Sequence, residues 1–319
     1  MDTRMQLFSG HGAPKVALTT NSEKMLETLK QIEFASSSNQ PVLLMGETGV
    51  GKGVIASAIH QGSKRTKGPF LRLSPHYGSH DLISSELFGH TRGAFTGATE
   101  SRIGLVEEAN RGTLFLDEVD LLPNATQVNL LHTLQEGEFS RIGSSDRRYS
   151  DFRLIAATNC LKERLLSPDT LRRDFYHRIA HLVIEIPPLR ERKEDILDLA
   201  RLGLVTGSHI GLTFSSDVEK WLVEHEWPGN VRELLAAVSS AASRAVFRSR
   251  KVIELEDFEL FLRNANTVQL TLEDQIAEFE AKVVKSVWLR NNCNHSATAR
   301  DLGIDRRRVR RALIWAGEK

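Results

Sequence analysis

Short apolar runs, each ending in polar residues, alternate with stretches of helical periodicity through more than half of the chain. "PVLLMGETGVGKGVIASAIHQ" opens on such a run and breaks at glycines. It then places Val54, Ile55, Ala58 and Ile59 at helical spacing, which predicts a strand, a loop and a helix. "RGTLFLDEVD" and "DFRLIAATN" repeat the compact apolar strand with a polar end. Near-continuous apolar strands between helices predict an α/β fold, a parallel sheet covered on both faces, with ligands at the carboxyl ends of its strands. In "IPPLRERKEDI" paired prolines end the sheet pattern, and the chain then reads as helical to about Arg263. "RNANTVQ" reads as a short polar linker, and from Leu272 one long helix precedes two shorter ones.

Length and charge narrow the picture. With 319 residues the chain can hold one α/β core and one or two small modules. Lys+Arg 42 against Asp+Glu 41 gives a net charge of +1, so any nucleic-acid contact must come from a local patch. Cys160 and Cys293 lie far apart without metal-ligand spacing, which fits a reducing cytosol and two small buried residues. No apolar run approaches the ~20 residues that span a bilayer, and "MDTRMQLFSGHG" has no signal-peptide core. A soluble cytoplasmic chain without a membrane partner is expected.

The glycine break carries the first chemistry. Gly46, Glu47, Thr48, Gly49, Val50, Gly51, Lys52 and Gly53 lie between strand and helix, the context in which such a loop binds phosphates. Glycines let backbone N–H groups turn towards the β- and γ-phosphates, the helix N-terminus adds positive potential, and Lys52 supplies an ammonium. Gly53 stands where most such loops have a Ser or Thr for Mg²⁺. Taken alone, the stretch also fits a glycine-rich turn without nucleotide.

"TLFLDEVD", about 65 residues further on, argues against that alternative. Asp117 at a strand end can hold Mg²⁺, and Glu118 can orient and deprotonate an attacking water, the division of labour that phosphoryl transfer needs. Thr158 and Asn159 close the "LIAATN" strand, where an amide could sense the γ-phosphate or simply cap the turn. Arg172 and Arg178 in "LRRDFYHR" read as arginine fingers on a polar helix surface, acting on a neighbouring subunit's nucleotide, or as solvated surface charge. Arg232 in "WPGNVREL" can reach back from a helical lid to the phosphates, or form a structural ion pair. ATP with Mg²⁺ is the cofactor implied.

The C-terminal stretch "NCNHSATARDLGIDRRRVRRALIWAGEK" reads as a helix-turn-helix: a helix from Ala297 to Leu302, a turn at Gly303 and an N-cap at Asp305. Arg306, Arg307, Arg308, Arg310 and Arg311 crowd the second helix, while Val309, Leu313 and Ile314 lie on its packing side. Five arginines in six positions favour contact with double-stranded DNA over a merely solvated face.

Taken with "SELFGHTRGAFTGA" and "FYHRIAHLVIEIPPLRERKEDI", these motifs resemble the AAA+ activators of σ54-dependent bacterial transcription, the bacterial enhancer-binding proteins. The resemblance runs from about Thr20 to the C-terminus, and its most specific part is Gly93, Ala94, Phe95, Thr96, Gly97 and Ala98. It implies a loop inserted in a helix of the ATPase domain, raised with ATP and lowered after hydrolysis, whose Phe95 ring and Thr96 hydroxyl engage σ54 in the RNA polymerase holoenzyme. Exposing a Phe costs roughly 1.5 to 3 kcal/mol, so a ring held out to water implies a partner. A second loop at 138–150 matches the family's pre-sensor insertion and is expected to move with the first.

The resemblance also assigns roles by position. Lys52, Asp117, Glu118, Thr158, Asn159, Arg172, Arg178 and Arg232 occupy matching places, and the family commonly has a glutamate where this chain has Gly53. Ser74 replaces an asparagine that restrains the catalytic glutamate in relatives, which implies altered coupling, offset by a second kind of subunit in a mixed ring. Expected domains are a short extension 1–20, an AAA+ core 21–192 with the σ54 loop at 89–101, a helical lid 193–263, a linker 264–271 and a Fis-like DNA-binding domain 272–319. This layout resembles the short members without an N-terminal receiver domain, the phage-shock and HrpR/HrpS-type activators, controlled by an inhibitory partner or by abundance. An ATP-hydrolysing activator is therefore expected, one that binds upstream enhancer DNA, forms a hexameric ring and remodels the closed promoter complex. A different ring machine, or a DNA-binding regulator with a degenerate ATPase, are the rivals.

Overall fold

Residues 18, 20–75, 80–160, 162–165, 167, 170–207, 209–258, 272–291 and 294–315 are described in a computed structural model, which divides into two units, 1–257 and 258–319. The first unit opens with α1 (Glu23–Ser37), which buries Met25, Leu29 and Ile32 at helical spacing, and β1 (Val42–Met45). There follow α2 (Lys52–Gln61), β2 (Phe70–Leu73) and α3 (His80–Phe88). A short antiparallel pair, β3 (Gly89–His90) and β4 (Arg102–Ile103), then leads to α4 (Leu105–Glu108), β5 (Thr113–Leu116) and α5 (Asn124–Glu136). A second such pair, β6 (Glu138–Phe139) and β7 (Arg148–Tyr149), leads to β8 (Arg153–Thr158), α6 (Lys162–Leu165), α7 (Arg173–Ile179) and β9 (Leu182–Glu185).

The five longer strands pair in parallel in the order β2-β5-β8-β1-β9. Side chains alternate across the sheet: Leu43, Leu114, Leu116 and Leu154 face Leu87, Leu130 and Phe175 of α3, α5 and α7. Leu44, Phe115, Ile155 and Ala157 face Leu29 and Ile32 of α1 and Ile55 and Ile59 of α2. Both faces are covered, so β1, β5 and β8 are buried along their whole length and are mainly apolar, with Thr113, Arg153 and Thr158 as buried polar residues at the ends of β5 and β8. The predicted parallel α/β core is what the structure contains.

The rest of the first unit is mainly helical, as predicted, with α8 (Ile196–Thr206), α9 (Ser216–Glu224) and α10 (Asn230–Phe247), and it adds an unpredicted short parallel pair, β10 (Thr213–Phe214) and β11 (Val252–Ile253). Ser215 caps α9 by accepting from the Val218 N–H at 3.4 Å. Gly203 lets α8 lie close on α10, because a Cβ there would stand 2.9 Å from Leu235 Cδ2.

The second unit contains α11 (Leu272–Arg290), α12 (His295–Leu302) and α13 (Arg306–Trp315), packed around Val284, Ala299, Val309, Ala312 and Leu313. Asn294 Oδ1 accepts from the N–H groups of Ser296 (2.9 Å) and Ala297 (3.2 Å), which starts α12 two residues before the expected Ala297. Gly303, at φ 63°, ends it, and Asp305 Oδ1 caps α13 by accepting from the Arg308 N–H at 2.8 Å. The expected linker 264–271, Cys293 and the Ile314 side chain lie outside the described residues. Among the described residues, no helix is long and apolar enough to cross a membrane.

Candidate functional site

Three strand ends of the sheet meet at one edge, where the crevices of a parallel sheet gather ligands. The loop after β1 winds through Gly46, Gly49 and Gly51 at φ of 157°, 82° and 107°; the last two lie in the left-handed region that favours glycine. A Cβ on Gly51 would meet nothing within 4 Å, so the loop leaves room on its open side. Lys52, the first residue of α2, is buried and donates from Nζ to the carbonyls of Gly46 (2.7 Å) and Glu47 (3.0 Å). Burial pushes its pKa down, and the charges of Asp117, Glu118 and Asp120 act in the opposite direction.

β5 delivers Asp117 and Glu118 to the same place, and Glu118 sits in the left-handed region at φ 52°. A cleft of about 540 Å³ is lined by Thr48, Gly49, Gly51, Lys52, Gly53, Asp117 and Glu118 from the sheet side, and by Val231, Arg232 and Leu235 from α10. The sequence-predicted Arg232 is thus brought to the glycine loop, its N–H donating to the Gly49 carbonyl at 3.3 Å. Contact there is close: a Cβ on Gly49 would stand 2.2 Å from the Gly229 carbonyl oxygen.

At the end of β8, Asn159 Nδ2 donates to Thr48 Oγ1 at 3.2 Å, which ties that strand end to the loop. Thr158 Oγ1 instead donates to Asp120 Oδ1 at 2.5 Å, and Cys160 Sγ donates to Asp120 Oδ2 at 3.3 Å. Cys160 packs against the core as expected of a small apolar residue, but it is only half-buried and is hydrogen-bonded to Asp120. Neither Arg172 nor Arg178 is among the described residues that line the cleft. Arg172 is exposed, precedes α7 and holds Asp174 through Nε (3.1 Å) and Nη2 (2.8 Å). Arg178 is half-buried and donates from Nη2 to the Leu134 carbonyl, so it is fixed against α5 instead of standing on an open helix surface.

Sequence reasoning missed a latch beneath the loop. Glu47 receives both ends of the Arg190 guanidinium (2.8 and 2.6 Å) and the Asn230 amide (3.0 Å), and these bonds hold its pKa down at about 2. Asn230 also donates to the Thr48 carbonyl at 3.1 Å and accepts from the Leu189 N–H at 2.7 Å, fully buried and left-handed at φ 56°. Both partners lie in quoted stretches, "PPLRER" and "WPGNVREL", but no spacing rule pairs them with position 47.

The Gly93–Ala98 stretch forms a compact loop between β3 and β4, so it interrupts the path from α3 to α4. The N–H of Gly93 donates to the Ala98 carbonyl (2.8 Å), and that of Ala98 to the Phe95 carbonyl (3.0 Å). Thr96 and Gly97 are exposed. Phe95 is only half-buried, packed edge-on against His90 with centroids 5.0 Å apart, which corrects the expectation of a ring held out to water. The second loop touches the first: Thr91 N–H donates to the Ile142 carbonyl, Ile142 N–H to the Gly89 carbonyl, both at 3.0 Å.

On α13, Arg306, Arg307, Arg308, Arg310 and Arg311 are all exposed. Arg308 binds both carboxylate oxygens of Glu280 on α11, at 2.7 and 3.0 Å.

The family model of the Sigma-54 interaction domain matches residues 18–185, and that of the AAA+ ATPase lid domain matches 190–275. The chain belongs to the sigma-54 interaction domain family. It is 37% identical over 327 residues to the nitric oxide reductase transcription regulator NorR2 of Cupriavidus necator, covering 92% of this chain and 62% of that protein. The regulatory protein AtoC of Escherichia coli is 37% identical over 311 residues, covering 91% and 65%. The Nif-specific regulatory protein of Rhodobacter capsulatus is 44% identical over 226 residues, covering 70% and 39%. The chain therefore spans less than two thirds of these relatives' length. Among solved structures, NtrX from Brucella abortus in complex with ADP superposes with a TM-score of 0.73 at 28% identity, covering 94% of this chain and 69% of that one. The same protein in complex with ATP gives 0.71 at 28% identity, covering 93% and 68%. The fold is that of an AAA+ P-loop ATPase with its lid, and the family is one of σ54-dependent transcriptional regulators.

Proposed function

We propose that this chain is an ATP-hydrolysing activator of σ54-dependent transcription in the bacterial cytoplasm. The observation that carries the reading is the convergence of Lys52, Asp117, Glu118 and Arg232 on one cleft, in a chain that also contains "GAFTGA". The residues fit a nucleoside triphosphate: the N-terminus of α2 faces a glycine loop with open space at Gly51, and Lys52 is held at its base. Asp117 is the carboxylate for Mg²⁺, and no cluster of three or more His, Cys, Asp or Glu offers a richer cation site among the described residues. Mg²⁺ supplies charge neutralisation at the phosphates. Glu118 takes the proton of the attacking water, Arg232 binds the phosphates from the lid, and Asn159, bonded to Thr48, reports their state to β8.

Arg172 and Arg178 complete a neighbouring subunit's cleft in a hexameric ring. Arg172 does so after leaving Asp174, and Arg178 through its position beside α5. Hydrolysis moves the Gly93–Ala98 loop, bringing Phe95 out from His90 so that it presses with Thr96 on σ54. The helix-turn-helix of α12 and α13 binds enhancer DNA through Arg306, Arg307, Arg310 and Arg311, while Arg308 reaches phosphate only by leaving Glu280. Ser74 directly follows Leu73, whose carbonyl accepts from the Asp117 N–H at 2.9 Å, so it adjoins the strand end that carries Glu118. A serine is shorter than asparagine and carries a hydroxyl in place of an amide, so coupling between hydrolysis and loop movement differs from that of relatives. A second kind of subunit in a mixed ring, or an inhibitory partner, supplies the missing control.

Open-complex formation at a σ54 promoter with ATP tests the reading: wild type opens the promoter, Glu118→Ala and Thr96→Ala do not. Activation that survives either substitution overturns the mechanism. For Ser74, the ATPase rate and transcription output of Ser74→Asn are expected to differ from wild type, and identical values remove that part of the proposal.

A further inference from the structure

A second cation stands in the cleft beside the carboxylate that the nucleotide reading gives to the metal. Arg72 lies on β2 opposite Phe115 of β5, so its guanidinium passes over the strand that ends in Asp117. The guanidinium carbon is 5.6 Å from the Phe115 ring centroid, and Nη2 donates to Asp117 Oδ2 at 2.6 Å. The arginine side chain is 54% exposed against 17% for Asp117, so the guanidinium can move while the carboxylate stays. Across from it, in the first turn of α2, position 53 is a glycine. A Cβ there would stand 3.7 Å from Arg72 Nη1 and 3.8 Å from Phe115 Cε1, ordinary contact distances with no clash. A carboxylate-bearing side chain at 53 would therefore meet Arg72, and glycine offers it no side-chain acceptor.

We propose that Arg72 competes with the nucleotide's divalent cation for Asp117, and that Gly53 sustains the competition by giving Arg72 no other carboxylate to bind. The proposal rests on the nucleotide reading of the cleft. The competition is relieved by swinging the more exposed guanidinium away from Asp117. For a half-exposed pair the effect on metal affinity is about two- to fivefold.

The test is a Mn²⁺ titration of the full chain saturated with ADP, followed by electron paramagnetic resonance of free Mn²⁺. A fluorescent ADP analogue measures nucleotide affinity in excess chelator. Arg72→Gln is expected to tighten Mn²⁺ binding about two- to fivefold. Gly53→Glu is expected to do the same by drawing Arg72 off Asp117, and to add nothing once Arg72→Gln is present. Because Gly53→Glu leaves Arg72 in place, it carries the test if Arg72→Gln does not fold. Equal Mn²⁺ affinities in wild type and both single variants, with ADP bound by all, overturn the competition and leave the nucleotide reading intact. Additive effects of the two substitutions also overturn it, since the introduced carboxylate would then be a metal ligand in its own right. A wild-type chain that binds no ADP with or without Mn²⁺ defeats the nucleotide reading itself, and the proposal with it.

Discussion

Glu47 shows how a single side chain joins the glycine loop to the lid. Its folded carboxyl ionises far more easily than the ordinary value of 4.5, with a pKa of about 2, chiefly because Arg190 and Asn230 bond to the charged form. The stability it adds is therefore complete above pH 4.5 and is lost as the pH falls towards about 2. Glu47→Gln is expected to flatten the fall in urea midpoint across that acid window, and a profile parallel to wild type would show that the pair contributes nothing measurable. Asn230 is the more costly residue to lose, because its removal strands the Leu189 N–H and the Thr48 carbonyl. Asn230→Ala should lower unfolding free energy by about 2 to 4 kcal/mol, combining lost hydrogen bonds with a left-handed backbone that alanine resists. Asn230→Gly keeps the backbone relaxed and loses only the bonds, so in chemical denaturation it should fall between wild type and Asn230→Ala.

At the scale of elements, the two short hairpins are joined where their loops touch. A Cβ on Gly143, itself at φ 78°, would lie 2.7 Å from Ala94 Cβ and 2.8 Å from Thr91 Oγ1. Gly143→Ala must push the loops apart, so limited proteolysis should cut near residues 91–99 faster than in wild type while the sheet remains protected. An unchanged cleavage rate would mean that the loops move independently. β8 poses a different question at its first residue. Arg153 is buried, donates to the Ala35 carbonyl at 2.7 Å, and has Nε and Nη1 without a partner among the described residues. Burial pushes its pKa down to about 10. Arg153→Met removes the desolvated charge but keeps the volume, so its stability should stay within about 1 kcal/mol of wild type or exceed it. Arg153→Ala, which empties the site, should cost about 2 to 4 kcal/mol in the same denaturation assay.

For the whole molecule, the cleft at the glycine loop and the arginine-rich helix α13 fall in different units, 1–257 and 258–319. Arg306 and Arg310 lie one helical turn apart and are both exposed. Replacing both by alanine should weaken binding to duplex DNA and reduce the salt slope by about 2, with nucleotide binding unchanged. Fluorescence anisotropy across a salt series measures this, and an unaltered slope would move the DNA surface elsewhere.

Much of the architecture was legible from local pattern. Apolar runs at 42–45, 114–116 and 154–157 announced strands buried on both faces, and the glycines at 46, 49 and 51 announced the turn between strand and helix. Asp305 and Gly303 marked helix ends because caps are chemistry between near neighbours. What stayed hidden was pairing over distance. Asn230 meets Glu47 across 183 positions, and Arg72 meets Asp117 across 45, in each case because sheet order and lid packing bring separate segments together. The side-chain types gave no hint of it: Arg72 sits in an otherwise apolar strand, and Arg190 in a run of charged residues.

By itself the sequence determined the parallel core, the glycine loop and the acidic strand end, since periodicity, turn chemistry and short motifs are written in adjacent residues. Tertiary structure alone decided that Phe95 rests on His90, that Arg178 and Arg308 are engaged within the chain, and that Arg72 shares the cleft with Lys52. Exposure and ion pairing depend on which segments fold against each other, and no local pattern carries that information.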